Sequence, residues 1–173
     1  RKNHLVQNNP KYYSILKPIL KDKDVRRWKI SFDEMYIIFT GRGINSVDIH
    51  EYPPIEKYLY QHKRDLMPKN KGDSRSKPGR IPGKYDWYEI FKPGTSYKKA
   101  NEPRLILPSH HKELFAVYTE ESYYVNWDYN ILTCKDKSKL KIIEALLSSK
   151  VLNFIQGIIG TKVKSKFDLK PSI

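Results

Sequence analysis

Four short groups of residues in this chain carry side chains that chemistry uses. His110-His111 is the only histidine cluster. Adjacent side chains point to opposite sides of an extended backbone, so the two imidazoles do not share a metal. The pair reads as a surface loop. Asn9-Pro10-Lys11-Tyr12 is one residue from Asn-Pro-Pro-Tyr, a tetrad whose asparagine holds an amino group while the aromatic ring stacks beside it. Lys11 stands where the second proline belongs and no apolar strand leads in, so this stretch reads as coil. Gly41-Arg42-Gly43 starts like a dinucleotide fingerprint, but Ser46 occupies the place of the last glycine. Glu89 and Lys92 are one residue too far apart for the Glu-x-Lys of metal-dependent nucleases, and no Glu here has a Lys two positions on. Gly-Lys-Ser/Thr and Gly-x-Ser-x-Gly are both absent. The expectation is no catalytic residue and no metal ligand within this chain.

Charge is the stronger signal. The 173 residues hold 33 Lys+Arg against 19 Asp+Glu, a net charge of +14. The pI is about 9.7. A polyanion is the expected partner, nucleic acid first and an anionic membrane surface second. An AT-rich genome would explain the abundance of lysine but not the shortage of Asp and Glu. Aromatics at 13%, including 13 Tyr, exclude disorder along the whole length. The single Cys134 excludes an internal disulfide and a cysteine-rich zinc site, and points to a reducing compartment. The longest apolar stretch, 142–159, is broken by Glu144, Lys150, Asn153 and Gln156, so it is a core helix and not a membrane span. No signal peptide opens the chain, and a start at Arg1 suggests a piece of something longer.

The elements that must position any site follow from local pattern. Residues 1–20 read as an arm or connector, because Asn8, Asn9, Pro10 and Pro18 break regular structure. Tyr36–Thr40 reads as a buried strand ending in the Gly41-Arg42-Gly43 turn. Pro53-Pro54 opens a helix near 54–66, with Ile55, Tyr58, Leu59, His62 and Leu66 on one face. Residues 61–86 carry eight Lys or Arg against three Asp, interleaved with Pro and Gly, so 67–86 is a long basic loop. Strands are expected at 87–91, 104–107, 115–118, 123–125 and 129–133, close enough for antiparallel pairing. A long C-terminal helix near 139–159 is capped by Ser138, ended by Gly160, and striped by Ile143, Leu147, Val151, Phe154 and Ile158. The fold class is α+β, mainly antiparallel or mixed small sheets. The organisation is an arm over 1–16, a domain over 17–160 and a tail over 161–173.

Side chains able to grip a nucleic acid concentrate in three places. The basic loop offers Asn70, Arg75, Lys77, Arg80 and Lys84, followed by Trp87 and Tyr88, one of which belongs to the core and one to its rim. Arg42 sits on a two-glycine turn at a strand end. Arg26 and Arg27 precede Trp28, which is itself assigned to the core, and Lys98 and Lys99 complete the set. Arg pairs with guanine and Asn with adenine in the major groove. Lys135, Lys137, Lys139 and Lys141 read as a solvated face.

The order of short blocks is more telling than any one of them. Lys17-Pro18-Ile19-Leu20-Lys21-Asp22-Lys23-Asp24-Val25-Arg26-Arg27-Trp28 comes first, then Tyr36–Thr40 with Gly43-Ile44. Tyr52-Pro53-Pro54-Ile55-Glu56-Lys57-Tyr58-Leu59 and Arg64-Asp65-Leu66 follow. The basic loop ends in Trp87-Tyr88-Glu89-Ile90. Last come Pro103-Arg104-Leu105-Ile106-Leu107-Pro108, Tyr129–Thr133 and Ala145-Leu146-Leu147-Ser148-Ser149-Lys150. Over about residues 15–160 this series resembles the TaqI-like C-terminal specificity domain, the target-recognition module of adenine-specific DNA methyltransferases and type IIG restriction-modification enzymes. Lys23 stands where the family usually has Gly in the first block, and Ser148 where it usually has Asn in the last.

The resemblance implies double-stranded DNA as partner and a methyltransferase domain in the same or a partner chain. It implies S-adenosylmethionine and Mg²⁺ in other domains of the parent enzyme, none in this one, and a bacterial cytoplasm. Two alternatives stay open on the residues alone: an RNA-binding module using the tyrosines to stack bases, and a scaffold domain of a phage-defence complex whose charge serves solubility. A small hydrolase with an unrecognised site is a third.

Overall fold

Runs of alternating or helical apolar residues are short in this chain, and the elements they form are short as well. The computed structural model describes residues 9–91, 100–126, 128–159, 162–163 and 166–168. In chain order the elements are α1 (Pro10–Tyr13), β1 (Leu16–Leu20), β2 (Val25–Arg26), β3 (Lys29–Ile30) and β4 (Tyr36–Ile38). Then come α2 (Pro53–Tyr60), α3 (Lys63–Leu66), β5 (Arg104–Pro108), β6 (His110–His111), β7 (Val117–Thr119) and β8 (Tyr124–Val125). The last are β9 (Tyr129–Thr133), α4 (Lys137–Leu147), α5 (Lys150–Ile159), β10 (Lys162–Val163) and β11 (Lys166–Asp168). This is the expected α+β mixture of small sheets, ordered β4-β1-β8, β7-β5-β9, β10-β11-β6 and β2-β3. β1 and β8 run parallel, while β2–β3, β5–β7, β5–β9, β6–β11 and β10–β11 pair antiparallel.

The chain divides into two compact units that interleave in sequence. Unit one holds residues 1–17 and 36–94, and unit two holds 18–35 and 95–173. Both are basic: unit one has 15 Lys or Arg against 7 acidic residues, unit two 18 against 12.

Unit one is built on Ile15, Ile49, Tyr52 and Ile55, with Ile38, Leu59 and Tyr88 packed against them. Within the stretch expected as an irregular arm, Ile15 and Leu16 are buried, and β1 begins at Leu16. Pro53 and Pro54 start α2 because a first-turn proline lacks only an N–H that the helix would leave unpaired. Ile55 and Leu59, four residues apart, then face the core. The single helix expected over 54–66 is two. The His62 N–H bonds the Leu59 carbonyl at 2.9 Å, a three-residue return that ends α2, and the His62 carbonyl starts α3 by accepting from Asp65 and Leu66. Pro68 forbids further helix.

Unit two is layered about β5. Leu105 packs with Ala116 and Leu140 on one face, and Ile106 with Leu20, Val25, Phe115, Val117 and Tyr129 on the other. That is the period-two alternation of a strand buried on both sides. The expected strand over 115–118 forms at Val117–Thr119, because the Ala116 N–H turns to the Ser148 hydroxyl at 3.3 Å.

The long C-terminal helix is also two, bent by 59° at Ser148-Ser149. Its cap is Asp136, whose carboxylate accepts from the N–H groups of Ser138 and Lys139, and not Ser138. Ser148 is buried against β7's approach, while the Ser149 hydroxyl accepts from the Leu152 N–H at 3.1 Å and so caps α5. The expected stripe splits at this bend. Ile143 and Leu147 pack on Leu105 and Leu140, whereas Val151, Phe154 and Ile158 are 67%, 71% and 68% exposed. Among the described residues no single helix is long and apolar enough to cross a membrane. Phe154→Ser is therefore expected to change the urea midpoint by less than the equivalent of about 0.5 kcal/mol, whereas Leu140→Ala costs about 2–5 kcal/mol. Equal losses from the two would contradict the split.

Candidate nucleic-acid interface

The basic loop is closed at its neck by backbone bonds. The Lys69 N–H bonds the Arg80 carbonyl at 3.0 Å, and the Arg80 N–H bonds the Met67 carbonyl at 2.9 Å. The excursion between them is tied internally. Asp73 accepts from the Asn70 N–H and the Lys77 ammonium, both at 2.8 Å. The Lys69 ammonium donates to the carbonyls of Ser74 and Arg75. A short surface loop with joined ends, filled by its own side chains, presents its tip in one shape. Asn70, Lys71 and Arg75 lie exposed on that tip.

The sequence-predicted contacts fall into distinct roles. Arg80 is half-buried, and its guanidinium donates to the carbonyls of Leu66 at 2.6 Å, Glu89 at 2.5 Å, Trp87 at 2.7 Å and Asp86 at 3.3 Å. It also lies 4.8 Å over the Tyr85 ring. Arg42 donates to the Phe91 carbonyl and lies over the rings of Tyr85 and Phe91 at 5.5 and 5.6 Å. Both of these arginines hold unit one together. Lys77 is paired with Asp73. Lys84 is exposed on the segment after Pro82-Gly83.

Trp87–Phe91 forms no strand. Arg80 consumes the carbonyls of residues 86, 87 and 89, and the Glu89 N–H returns to the Asp86 carbonyl at 3.0 Å, so no ladder edge is left. Tyr88 packs on the core and its carbonyl accepts from the Thr40 hydroxyl at 2.6 Å, while Trp87 stands at the rim, edge-on to Tyr60 and Tyr88. The Lys63 ammonium lies 4.9 Å over Tyr60 and 5.3 Å over Trp87, which gives this rim a cation-aromatic face.

Arg26 and Arg27 belong to unit two. Arg26 is exposed and donates to the Asp22 and Val25 carbonyls. Arg27 donates to the Ser148 carbonyl and pairs with Glu113. Trp28, assigned to the core, is instead 57% exposed. Its φ of +67° turns it out of the β2–β3 hairpin, with Arg27 over its ring. Lys98 and Lys99 lie outside the described residues. Unit one thus gathers Arg42, Asn70, Arg75, Lys77, Arg80, Lys84, Trp87 and Tyr88, and unit two carries Arg26 and Arg27.

Glu89 is the residue that pattern reading missed. It is buried, and its carboxylate accepts from the Gly43 N–H at 2.7 Å and the Asp86 N–H at 3.0 Å, which fastens the glycine turn to the end of the loop. A lone Glu between aromatics gives no signal of this in sequence. Burial alone would raise its carboxyl, but the two N–H donors outweigh burial and hold it below its usual value of 4.5. A folded pKa below the unfolded one stabilises fully above the unfolded value, and that contribution is lost as pH falls through the folded one. Glu89→Gln is therefore expected to flatten the loss of stability below about pH 4.5. Urea midpoints of variant and parent, taken from neutral pH downward, check this; parallel acid limbs would refute it.

Among the described residues no group of three or more His, Cys, Asp or Glu could hold a metal ion. Fold and surface together define a basic α+β binding module. The model of the TaqI-like C-terminal specificity domain matches residues 17–169, and the chain belongs to that family. Such specificity domains are the DNA-recognition parts of restriction-modification enzymes and are non-catalytic by themselves. No curated protein matches the chain.

Proposed function

We propose that this chain is the sequence-reading module of an adenine-N6 DNA methyltransferase or of a type IIG restriction-modification enzyme, and that it binds double-stranded DNA. Family membership over residues 17–169 carries this reading. The +14 charge supports it, because affinity for duplex DNA comes mostly from neutralised phosphates. Recognition is assigned to residues 17–160, with 161–173 as a tail, while Ile15 and Leu16 of the preceding stretch belong to the fold of unit one. A methyltransferase domain of the same or a partner chain takes up the flipped adenine while this module holds the flanking duplex. S-adenosylmethionine and Mg²⁺ belong to other domains of the parent enzyme, in a bacterial cytoplasm.

Asn70 and Arg75 are the base readers in this proposal, being exposed on a loop whose shape is set from within. Arg26, Lys84, Lys98 and Lys99 supply phosphate contacts. Arg27, Arg42, Lys77, Arg80, Trp87 and Tyr88 support them from behind or at the rim. Selection from a randomised duplex pool at two salt concentrations is the test. A short word should be enriched at both, and Arg75→Ala should relax one position of it, at a cost of about 1–3 kcal/mol in discrimination. Steeply salt-dependent binding that enriches no word would overturn the reading.

A further inference from the structure

At the base of the basic loop lies an open cleft of about 340 Å³. That volume lies within the range of small-ligand sites, about 300–1,000 Å³. Its charged lining is Arg64, Lys69, Lys77 and Asp73, with the Asn70 amide beside them. The charges are not balanced. The Asp73 carboxylate is already committed to Lys77 and the Asn70 N–H, and the Lys77 bond holds it below its ordinary range. The Lys69 ammonium donates to two carbonyls and lies near enough to Asp73 to add to the pull that Lys77 exerts on that carboxylate. Arg64 is exposed, and among the described residues no carboxylate pairs with it. Two cations therefore face a space whose one carboxylate is spoken for. Pro68 and Pro78 add apolar wall.

A cleft lined by three cations and one carboxylate, with one amide and apolar flanks, suits a tetrahedral anion attached to a flat, partly apolar group. We propose that it is a nucleotide-phosphate site, in which Arg64 and Lys69 hold the phosphate and the nucleoside lies along Pro68 and Pro78. Arg64 makes the paired N–H contacts that a phosphate accepts. The phosphate has two possible sources, the backbone of duplex DNA or a free nucleotide. In its DNA form the inference rests on the function proposed above, and the loop tip is then set in register by one gripped phosphate while Asn70 and Arg75 read bases.

The experiment is a titration of the isotopically labelled chain, followed at the amides of Asn70, Asp73 and Gly79. The probes are a short duplex, deoxyadenosine monophosphate and unphosphorylated deoxyadenosine. Arg64→Gln and Arg64→Lys are measured alongside, with thermal midpoints expected to match the parent because the guanidinium supports nothing. If the duplex moves these amides and Arg64→Gln weakens it roughly five- to tenfold, the site stands with backbone phosphate as its ligand. The slope of log K against log salt should then fall by about 0.9, and Arg64→Lys should restore it. If only the monophosphate moves them, the site stands as a free-nucleotide site and its duplex form fails. Duplex binding with unmoved amides and an unchanged Arg64→Gln overturns the cleft site and leaves the DNA reading intact. Silence from all three probes overturns both.

Discussion

Gly41→Ala is expected to unfold unit one or to weaken it by more than about 4 kcal/mol, a loss that few single substitutions reach. Gly41 has a φ of +72°, and a Cβ there would lie 2.0 Å from the Asn45 carbonyl oxygen. Backbone cannot give way as a side-chain tip can. The Gly41 carbonyl accepts from the Ile90 N–H at 2.9 Å, and the Thr40 carbonyl from the Val47 N–H at 2.9 Å. Opening the turn to admit a methyl group breaks these bonds and withdraws the Gly43 N–H from Glu89. Gly43 is the internal control. Its φ of +57° carries the same conformational cost for alanine, about 1–2 kcal/mol, but a Cβ there meets nothing within 4 Å. Urea denaturation of both variants separates the two effects. Similar midpoints would show that left-handed backbone, and not the close approach of residue 45, is what requires glycine in this turn.

Arg80→Ala is the second large effect. Four carbonyls from two stretches of chain converge on one guanidinium, and burial is the main reason its pKa lies below the ordinary arginine value. Truncation leaves those acceptors without their donor and removes the cation from the Tyr85 ring. A loss of about 3–4 kcal/mol is expected, the cost of breaking charged hydrogen bonds in a partly buried site. Arg80→Lys should recover less than half of it. Nε and both terminal nitrogens of Arg80 reach different carbonyls, whereas an ammonium donates from one point. Protease cleavage within 67–86 should accelerate in parallel, because the guanidinium ties the end of the loop to residues 66 and 86–89. An Arg80→Lys variant as stable as the parent would show that charge alone, without the spread of donors, holds the loop.

Both effects concern residues whose types were legible and whose roles were not. Arg42 and Arg80 stood out in the sequence as cations on turns and loops, the usual place for ligand contacts. Nothing local distinguishes an arginine that reaches outward from one that turns back to collect carbonyls. That distinction depends on where residues 86–91 return, and their return in turn depends on Glu89 finding the Gly43 N–H. The same limit explains the strand expected at Trp87–Phe91. Its residues have strand propensity, but Arg80 occupies the acceptors that a ladder needs.

The C-terminal helices make the complementary case. Periodicity over 139–159 was correct for each half and wrong for the join, because Ser148 is drawn to Ala116 across 32 residues of sequence. A helical pattern reports which face is apolar and says nothing of what lies opposite it. Hence Ile143 and Leu147 are covered, while Val151, Phe154 and Ile158 remain exposed in this chain.

By itself the sequence determined the α+β class, strands at 104–107 and 129–133, a helix opened by Pro53-Pro54, the basic loop and the family. Those properties rest on composition, short-range periodicity and the order of blocks, all of which survive without knowledge of distant contacts. Only the tertiary structure decided the division into two interleaved units, the break of both long helices, the exposure of Trp28 and the inward turn of Arg42 and Arg80. The bend at Ser148 and the inward turn of Arg42 rest on hydrogen bonds between residues far apart in the chain, whose energy exists only once the chain has brought them together, whereas the break at His62 and the turn of Trp28 are local backbone choices that composition and periodicity do not report.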